Sequence, residues 1–161
     1  MPLPPFAVFL EEQRTLVYRF LVGTVGAQAA EDCFQETFLS ALRAYRRLRD
    51  DSNLRAWVLA IASRKAIDHH RGRARRAVPV EHVPEQAVND EGPRDDSLWA
   101  AVRGLPPKQR AAVVCRFAND LAYAEIGTVL ECSEEAARRN VFEGLRALRG
   151  RSSTLDAEVI R

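Results

Sequence analysis

The sequence predicts an all-α fold made of two small helical domains joined by a flexible acidic linker. Residues with high helix propensity (Ala, Leu, Arg and Glu) are abundant, and 47% of the 161 residues are hydrophobic. Apolar side chains recur at helical spacing in both halves of the chain. Between the halves, residues 77–94 contain three prolines and a surplus of acids without any sustained period, which is typical of a linker.

The predicted helices divide evenly between the two halves. The first half contains three or four helices, the clearest at 9–22, about 29–48 and about 54–70, and the turn-like residues 50–53 supply an N-cap for the third. The second half contains four shorter helices, at 98–104, 108–117, 123–130 and 133–149. We therefore place a first domain at 1–76, the linker at 77–94, a second domain at 95–150 and a C-terminal tail at 151–161.

The net charge of +2 hides a block pattern. Residues 64–76 contain six basic side chains against one acid, and residues 77–97 contain six acids against one base. Basic character returns after Ser133. Such blocks are typical either of two surfaces that face nucleic acid or of ordinary solvated helix faces, and charge alone does not decide between them.

Several classes of site are not expected. The three cysteines lack metal-ligand spacing: Cys33 and Cys115 lie on apolar stripes, and only Cys132, in a predicted turn, is a candidate reactive thiol. We find no paired carboxylates, nucleophile–base set or phosphate-binding loop, so we expect no enzyme, no catalytic residue, no cofactor, no metal and no small-molecule substrate. Without a transmembrane-length apolar run or a signal peptide, we expect an intracellular protein.

The last two predicted helices match a helix-turn-helix, with Glu131 and Cys132 as the tight turn and Ser133 as N-cap of the second helix. Small or apolar residues at the helix crossing are Ala124, Ile126, Leu130, Ala137, Val141, Leu145 and Leu148. The opposite, basic face predicts a DNA reader with five candidate contacts: Arg138, Arg139, Asn140, Phe142 and Arg146. The alternative is a solvated arginine-rich face with Phe142 packed on a neighbouring helix. Because the tight turn, the N-cap and the basic face all fit a DNA-binding helix-turn-helix, we favour DNA binding.

The second predicted helix has an apolar seam and an opposite side that folding does not require. That side carries Asp32, Gln35, Glu36, Leu39 and Arg43. An exposed leucine among acids suits a protein-binding surface, but from the residues alone an ordinary surface helix is favoured. On the third helix, Trp57 is interpreted as a core residue rather than a base-stacking one, and His69 and His70 as surface residues.

Together these segments resemble the extracytoplasmic-function (ECF) group of bacterial sigma-70 factors. Residues 30–38 resemble conserved region 2.2, residues 55–68 resemble regions 2.3 and 2.4, and residues 105–110, 121–126 and the last helix resemble region 4. The resemblance covers nearly the whole chain. It implies that the first domain is sigma region 2 and the second is the region 4 helix-turn-helix, with function in promoter-specific transcription initiation.

The resemblance also implies partners and contact residues. The surface of Asp32, Gln35, Glu36 and Leu39 would bind the β′ clamp of core RNA polymerase, which overturns the interpretation of that surface as ordinary. The third helix, with the loop at 48–53, would hold melted −10 promoter DNA, with candidate contacts Arg64, Lys65, Asp68, Arg71 and Arg73. Region 4 would read the −35 duplex and touch the β flap. An anti-sigma factor is a further implied partner, and the location would be cytoplasmic, at the nucleoid or held at the membrane by that factor.

The chain departs from the family pattern in places. Glu143 stands where a basic residue is usual, the last helix opens Ser-Glu-Glu, and residues 62–64 read Ala-Ser-Arg. The −35 and −10 sequences therefore stay open. The main alternative is a helix-turn-helix regulator that needs no polymerase, and the Asp32, Gln35 and Glu36 surface distinguishes the two because such a regulator would not need it.

Overall fold

A computed structural model describes the backbone of residues 2–76 and 96–159 and the side chains of 2–75 and 97–151. This part of the chain folds into seven α-helices without a strand: α1 Phe6–Val25, α2 Ala27–Tyr45, α3 Leu54–Arg76, α4 Asp96–Arg103, α5 Pro107–Phe117, α6 Tyr123–Leu130 and α7 Glu134–Val159. The all-α prediction is confirmed. The predicted linker at 77–94 lies outside the described residues.

Helices α1, α2 and α3 pack around an aromatic cluster. The ring of Phe9 is fully buried, with centroids 6.1 Å from Phe38, 5.1 Å from Tyr45 and 5.8 Å from Trp57. Burying a phenylalanine side chain contributes about 1.5–3 kcal/mol, so this cluster is a main source of stability for the first domain. The interpretation of Trp57 as a core residue is confirmed, since its ring packs against this cluster.

Two helices of the first domain are longer than the apolar pattern predicts. The break between α1 and α2 falls on Gly26 alone, where φ is +85°, and Gly23 stays helical. Helix α3 begins as predicted, with Oδ1 of Asn53 accepting from the backbone N–H of Ala56 at 3.1 Å. It then continues past His70 to Arg76, because a single glycine at 72 costs a helix only about 1 kcal/mol.

The second domain contains the predicted helix-turn-helix. Helix α6 has the predicted bounds, and the Oγ of Ser133 accepts from the N–H of Ala136 at 3.1 Å as the predicted cap of α7. The turn closes through Glu131, which has a left-handed φ of 56°. The prediction for Ala124 at the helix crossing is wrong: Ala124 is exposed, and Gly127 and Val129 are buried instead.

Helix α7 ends at Val159, beyond the predicted end at Arg149, so the predicted tail is largely a continuation of this helix. Gly150 does not stop it, and no proline follows. The guanidinium of Arg151 holds this part of α7 against α4 by donating to the carbonyls of Ala101 at 3.3 Å and Gly104 at 3.4 Å.

The two domains pack against each other. Helix α3 lies along α6, and α1 contacts α4 and α5. A Cβ at Gly23 of α1 would lie 2.9 Å from a methyl carbon of Val114 on α5 and 3.3 Å from the Trp99 ring on α4. One continuous apolar core therefore includes side chains from both domains.

Cys33 and Cys115 are buried as predicted, and Cys132 is half-buried at the turn. Among the described residues no three His, Cys, Asp or Glu side chains are grouped as metal ligands. None of the helices described is both long and apolar enough to cross a membrane.

Candidate protein and nucleic-acid interfaces

The side of α2 that faces away from the core presents the predicted protein-binding residues together. Asp32, Gln35, Glu36 and Leu39 are all exposed, and 53% of Leu39 is accessible to solvent. Leu42 extends the same surface and is 52% exposed. We call these five residues the α2 surface. Sequence reasoning missed Leu42, although its position three residues after Leu39 was a signal for it.

The seam on the other side of α2 keeps this surface turned outward. Phe38 and Ala41 are buried, and the Oγ1 of buried Thr37 donates to the Cys33 carbonyl at 2.7 Å. Burial raises the pKa of the Cys33 thiol, and the nearby carboxylates of Glu36 and Asp32 raise it further. The thiol therefore stays protonated and acts as an apolar core group.

The predicted −10 contacts lie along the second half of α3. Arg64, Asp68, Arg71 and Arg73 are exposed and Lys65 is half-buried. An open groove of about 300 Å³ runs between α2 and α3. Trp57 and Ile61 line it, and Arg64, Lys65 and Asp68 add charged groups to its wall. A basic, aromatic-lined groove suits single-stranded DNA.

Arg55, near the start of α3, and Arg64, in its middle, meet carboxylates of the second domain. Glu125 of α6 accepts from Arg55 through two hydrogen bonds, at 3.0 Å to Nε and 2.5 Å to a terminal nitrogen, and from Asn53 at 3.5 Å. These hydrogen bonds, that of Arg55 foremost, lower the pKa of Glu125. Glu131, at the helix-turn-helix turn, forms an ion pair with Arg64. Sequence reasoning missed Arg55, Glu125 and Glu131, because pairs about seventy residues apart have no local signal.

The exposed face of α7 carries four of the five predicted −35 contacts. Arg138, Arg139, Phe142 and Arg146 are exposed, and Phe142 is 63% accessible to solvent. The alternative of Phe142 packed on a neighbouring helix is therefore wrong for this structure. Asn140 differs: it is half-buried, and its Nδ2 donates to the Ala136 carbonyl at 3.0 Å. It lies between buried Ala137 and Val141 on the helix, so it borders the core rather than the exposed face.

The interpretation of His70 as a surface residue is wrong. It is half-buried, and its Nε2 donates to the Thr24 carbonyl of α1 at 2.8 Å. Burial lowers its pKa from the ordinary value of 6.5, and the charge of Arg110 on α5 lowers it further.

Comparisons with known proteins agree over both domains. The model of sigma-70 region 2 matches residues 9–76, and that of sigma-70 region 4 matches residues 95–148. The ECF RNA polymerase sigma factor BldN of Streptomyces coelicolor is 32% identical over 155 residues, covering 89% of this chain. The RNA polymerase sigma-H factor of Pseudomonas aeruginosa is 30% identical over 150 residues, covering 83% of this chain.

Lengths differ between the relatives. The chain spans 58% of the length of BldN and 76% of the length of sigma-H.

Among solved structures, the sigma factor RpoE of Bartonella quintana, in complex with the anti-sigma factor NepR, has a TM-score of 0.73 at 20% identity. That match covers 90% of this chain and 94% of RpoE, and it shows that the fold is shared.

Proposed function

This chain belongs to the sigma-70 family, in its ECF group, and from that premise we propose that it is a dissociable initiation subunit of bacterial RNA polymerase. It directs transcription from promoters with −10 and −35 elements. The observation that carries the proposal is the separation of three exposed surfaces on one chain: the α2 surface, the basic side of α3 and the arginine-rich face of α7.

The α2 surface binds the β′ clamp of core polymerase. Two leucines, each about half exposed, stand beside Asp32 and Glu36, and an apolar centre with a charged rim is the usual anatomy of a protein interface. We include Leu42 in this interface along with Asp32, Gln35, Glu36 and Leu39.

The −10 strand binds along α3, in the domain at 1–76. Arg64, Lys65, Arg71 and Arg73 contact the phosphates, and Asp68 contributes from the groove wall.

The −35 duplex binds the α7 face, in the domain at 95–150, which also touches the β flap. Arg138, Arg139 and Arg146 supply guanidinium forks for guanine edges or phosphate, and Phe142 supplies an apolar ring for a thymine methyl group. Asn140 contributes less to DNA binding, because its Nδ2 already donates a hydrogen bond to the Ala136 carbonyl of the same helix.

Sigma factors are transcription initiation factors, and we propose accordingly that this chain is not an enzyme and uses no cofactor or small-molecule substrate. The segment at 77–94 acts as the acidic linker between the DNA-binding domains. RpoE of B. quintana was solved with an anti-sigma factor, and we propose a partner of that class here. The site of action is the cytoplasm, at the nucleoid, with retention at the membrane when such a partner is anchored there.

The polymerase interface is tested by replacing Asp32 and Glu36 together with alanine. Because both carboxylates are exposed on the α2 surface, we expect core binding in a pull-down to weaken at least about tenfold while duplex binding is unchanged. The matched control replaces Glu11 and Glu12 of α1 with alanine. Both side chains are exposed, and their replacement removes the same charge. Equal core affinity for the two double variants would rule out this interface.

A further inference from the structure

Glu135 is an exposed carboxylate on the arginine-rich face of α7, and the proposed function leaves it without a role. It begins a stripe that Arg139, Phe142 and Arg146 continue at helical spacing, all of them exposed. We infer that Glu135 determines one base of the −35 element by accepting a hydrogen bond from the amino group of a cytosine. The inference rests on the proposed function and extends it from DNA binding to the choice of base.

The position of Glu135 along α7 suits contact with bases. Helix α7 begins at Glu134, after the Ser133 cap, so Glu135 is its second residue. In a helix-turn-helix the second helix lies in the major groove, and its N-terminal residues contact base edges. Because Glu135 lies both in this first turn and on the exposed stripe, its carboxylate is directed to the bases.

The two carboxylates in the first turn of α7 differ in their partners. Glu134 forms an ion pair with Arg138 at 3.3 Å. Glu135 and Arg139 have the spacing at which ion pairs form on a helix, yet none of the described side chains forms an ion pair with Glu135. The carboxylate oxygens of Glu135 are therefore available to a base.

A carboxylate on a DNA-binding face lowers the affinity for every sequence. Duplex DNA carries one negative charge per about 1.7 Å of its axis, and proteins bind it by neutralising phosphates with cations. Arg139 and Arg146 supply such cations on the stripe, whereas Glu135 repels the phosphates. The positive end of the helix dipole favours an acid in the first turn, but Glu134 already supplies one there. A gain in the choice of base offsets the repulsion by Glu135.

The major-groove edges of the bases determine which of them suits a carboxylate. An ionised carboxylate only accepts hydrogen bonds. Guanine exposes the acceptors N7 and O6, thymine exposes the acceptor O4, and adenine exposes the acceptor N7 beside its amino group. Cytosine exposes the N4 amino donor without an acceptor. Glu135 therefore favours cytosine through the hydrogen bond and disfavours the other bases through repulsion between acceptors.

Glu135→Gln tests the inference with little change of shape. An amide offers a donor and an acceptor together, the combination that binds N6 and N7 of adenine. The variant should therefore shift the preference at one position from cytosine to adenine. The matched control is Glu143→Gln, which removes the same charge from the same helix. Glu143 is exposed but lies off the stripe, and Gln109 of α5 donates to it at 3.4 Å.

The measurement is selection of promoter fragments by holoenzyme. The full chain and core polymerase from the same organism bind a promoter library randomised across the −35 element, and the bound fragments are sequenced. We expect the wild type to enrich cytosine at one position. In Glu135→Gln the preference for cytosine over adenine at that position should fall at least about fivefold, with the other positions unchanged. Glu143→Gln should enrich the same sequence as the wild type.

A change in the DNA gives a second readout that leaves the protein unaltered. N4-methylcytosine keeps the Watson–Crick pair and replaces the amino hydrogen that is exposed in the major groove with a methyl group. Placed at the enriched cytosine, it should weaken binding of the wild-type holoenzyme at least about fivefold. It should change binding of the Glu135→Gln holoenzyme much less, because this variant no longer depends on that hydrogen.

Identical base preferences of the wild type and Glu135→Gln would show that Glu135 stabilises α7 without reading DNA. A change at a position where the wild type prefers a base other than cytosine, or equal losses from N4-methylcytosine in the two proteins, would exclude the cytosine contact. Each of these results overturns the inference and leaves the proposed function standing. If the wild-type holoenzyme enriched no sequence at all, the proposed function would fail and the inference with it.

Discussion

Two neighbours hold the Arg138 side chain in position on the exposed face of α7. Its guanidinium donates to Glu134, one turn back on α7, at 3.3 Å and lies over the Tyr123 ring at 4.9 Å from the centroid. Both partners restrict the side chain while it stays exposed, so less conformational entropy is lost when a base edge binds. Arg138 is therefore the strongest candidate for base-specific reading on α7.

Replacing Arg138 with alanine should therefore weaken discrimination between base pairs at one −35 position by about 1–3 kcal/mol. This is the contribution of a bidentate hydrogen-bonded pair between arginine and guanine. Competition binding with duplexes changed one base pair at a time measures this. Arg138→Lys is the control, because lysine keeps the positive charge but lacks the planar guanidinium that binds guanine through two hydrogen bonds. This variant should retain non-specific DNA affinity and lose discrimination between base pairs. A uniform loss across all sequences in Arg138→Ala would mean that Arg138 contacts phosphate only.

Gly127 allows the tight turn between α6 and α7. Its carbonyl accepts from the N–H of Cys132 at 2.9 Å, and a Cβ on Gly127 would lie 2.8 Å from the carbonyl oxygen of Cys132. That oxygen belongs to the backbone and cannot turn aside as a side chain can. The angle between α6 and α7 therefore depends on the absence of a side chain at Gly127.

We predict that Gly127→Ala lowers the free energy of unfolding by about 1–3 kcal/mol, because α6 and α7 must move apart. Gly150→Ala is the matched control: its Cβ would enter open space on a helix, and alanine should add about 0.5–1 kcal/mol. Urea unfolding of both variants measures the two free energies. Equal stability of Gly127→Ala and the wild type would contradict the turn geometry.

The elements differ in how far the sequence predicts them. Helix α6 and the Ser133 cap follow from local signals, a turn-forming pair and a capping hydroxyl, and both predictions are confirmed. Helices α3 and α7 continue past their predicted ends, because a lone glycine stops a helix only where it adopts a left-handed conformation or a proline follows.

Contacts between the domains could not be predicted from the sequence. The pairs of Arg55 with Glu125 and Arg64 with Glu131 join residues that are far apart along the chain, and no period relates them. The half-burial of His70 has the same origin, because α1 and α5 approach it from elsewhere in the sequence. By contrast, four of the five residues of the α2 surface and four residues of the α7 face follow from helical spacing alone.

The half-buried imidazole of His70 lies where α1, α3 and α5 meet, and burial favours its uncharged form. Arg110 faces it from α5, His69 and Arg73 lie near it on α3, and its Nε2 donates a hydrogen bond to the Thr24 carbonyl of α1. Because burial lowers the pKa of His70, its contribution to stability is complete above pH 6.5 and is lost as the pH falls through the lowered pKa. Glu125, whose pKa is also lowered, loses its contribution only below pH 4.5.

Urea unfolding as a function of pH should therefore show stability that is level above pH 6.5 and declines below it. In His70→Gln, which cannot acquire a proton, this decline should be much smaller. An equal decline in the variant and the wild type would assign the acid sensitivity to other groups.

Reconstituted transcription shows directly whether this chain gives core RNA polymerase its promoter specificity. Core polymerase from the same organism is mixed with the chain and genomic fragments, and transcript 5′ ends are mapped. We predict discrete start sites that depend on the wild-type chain and are lost when Asp32 and Glu36 are replaced with alanine. The absence of chain-dependent start sites on every fragment, with duplex binding intact, would contradict the claim and favour a regulator that acts without polymerase.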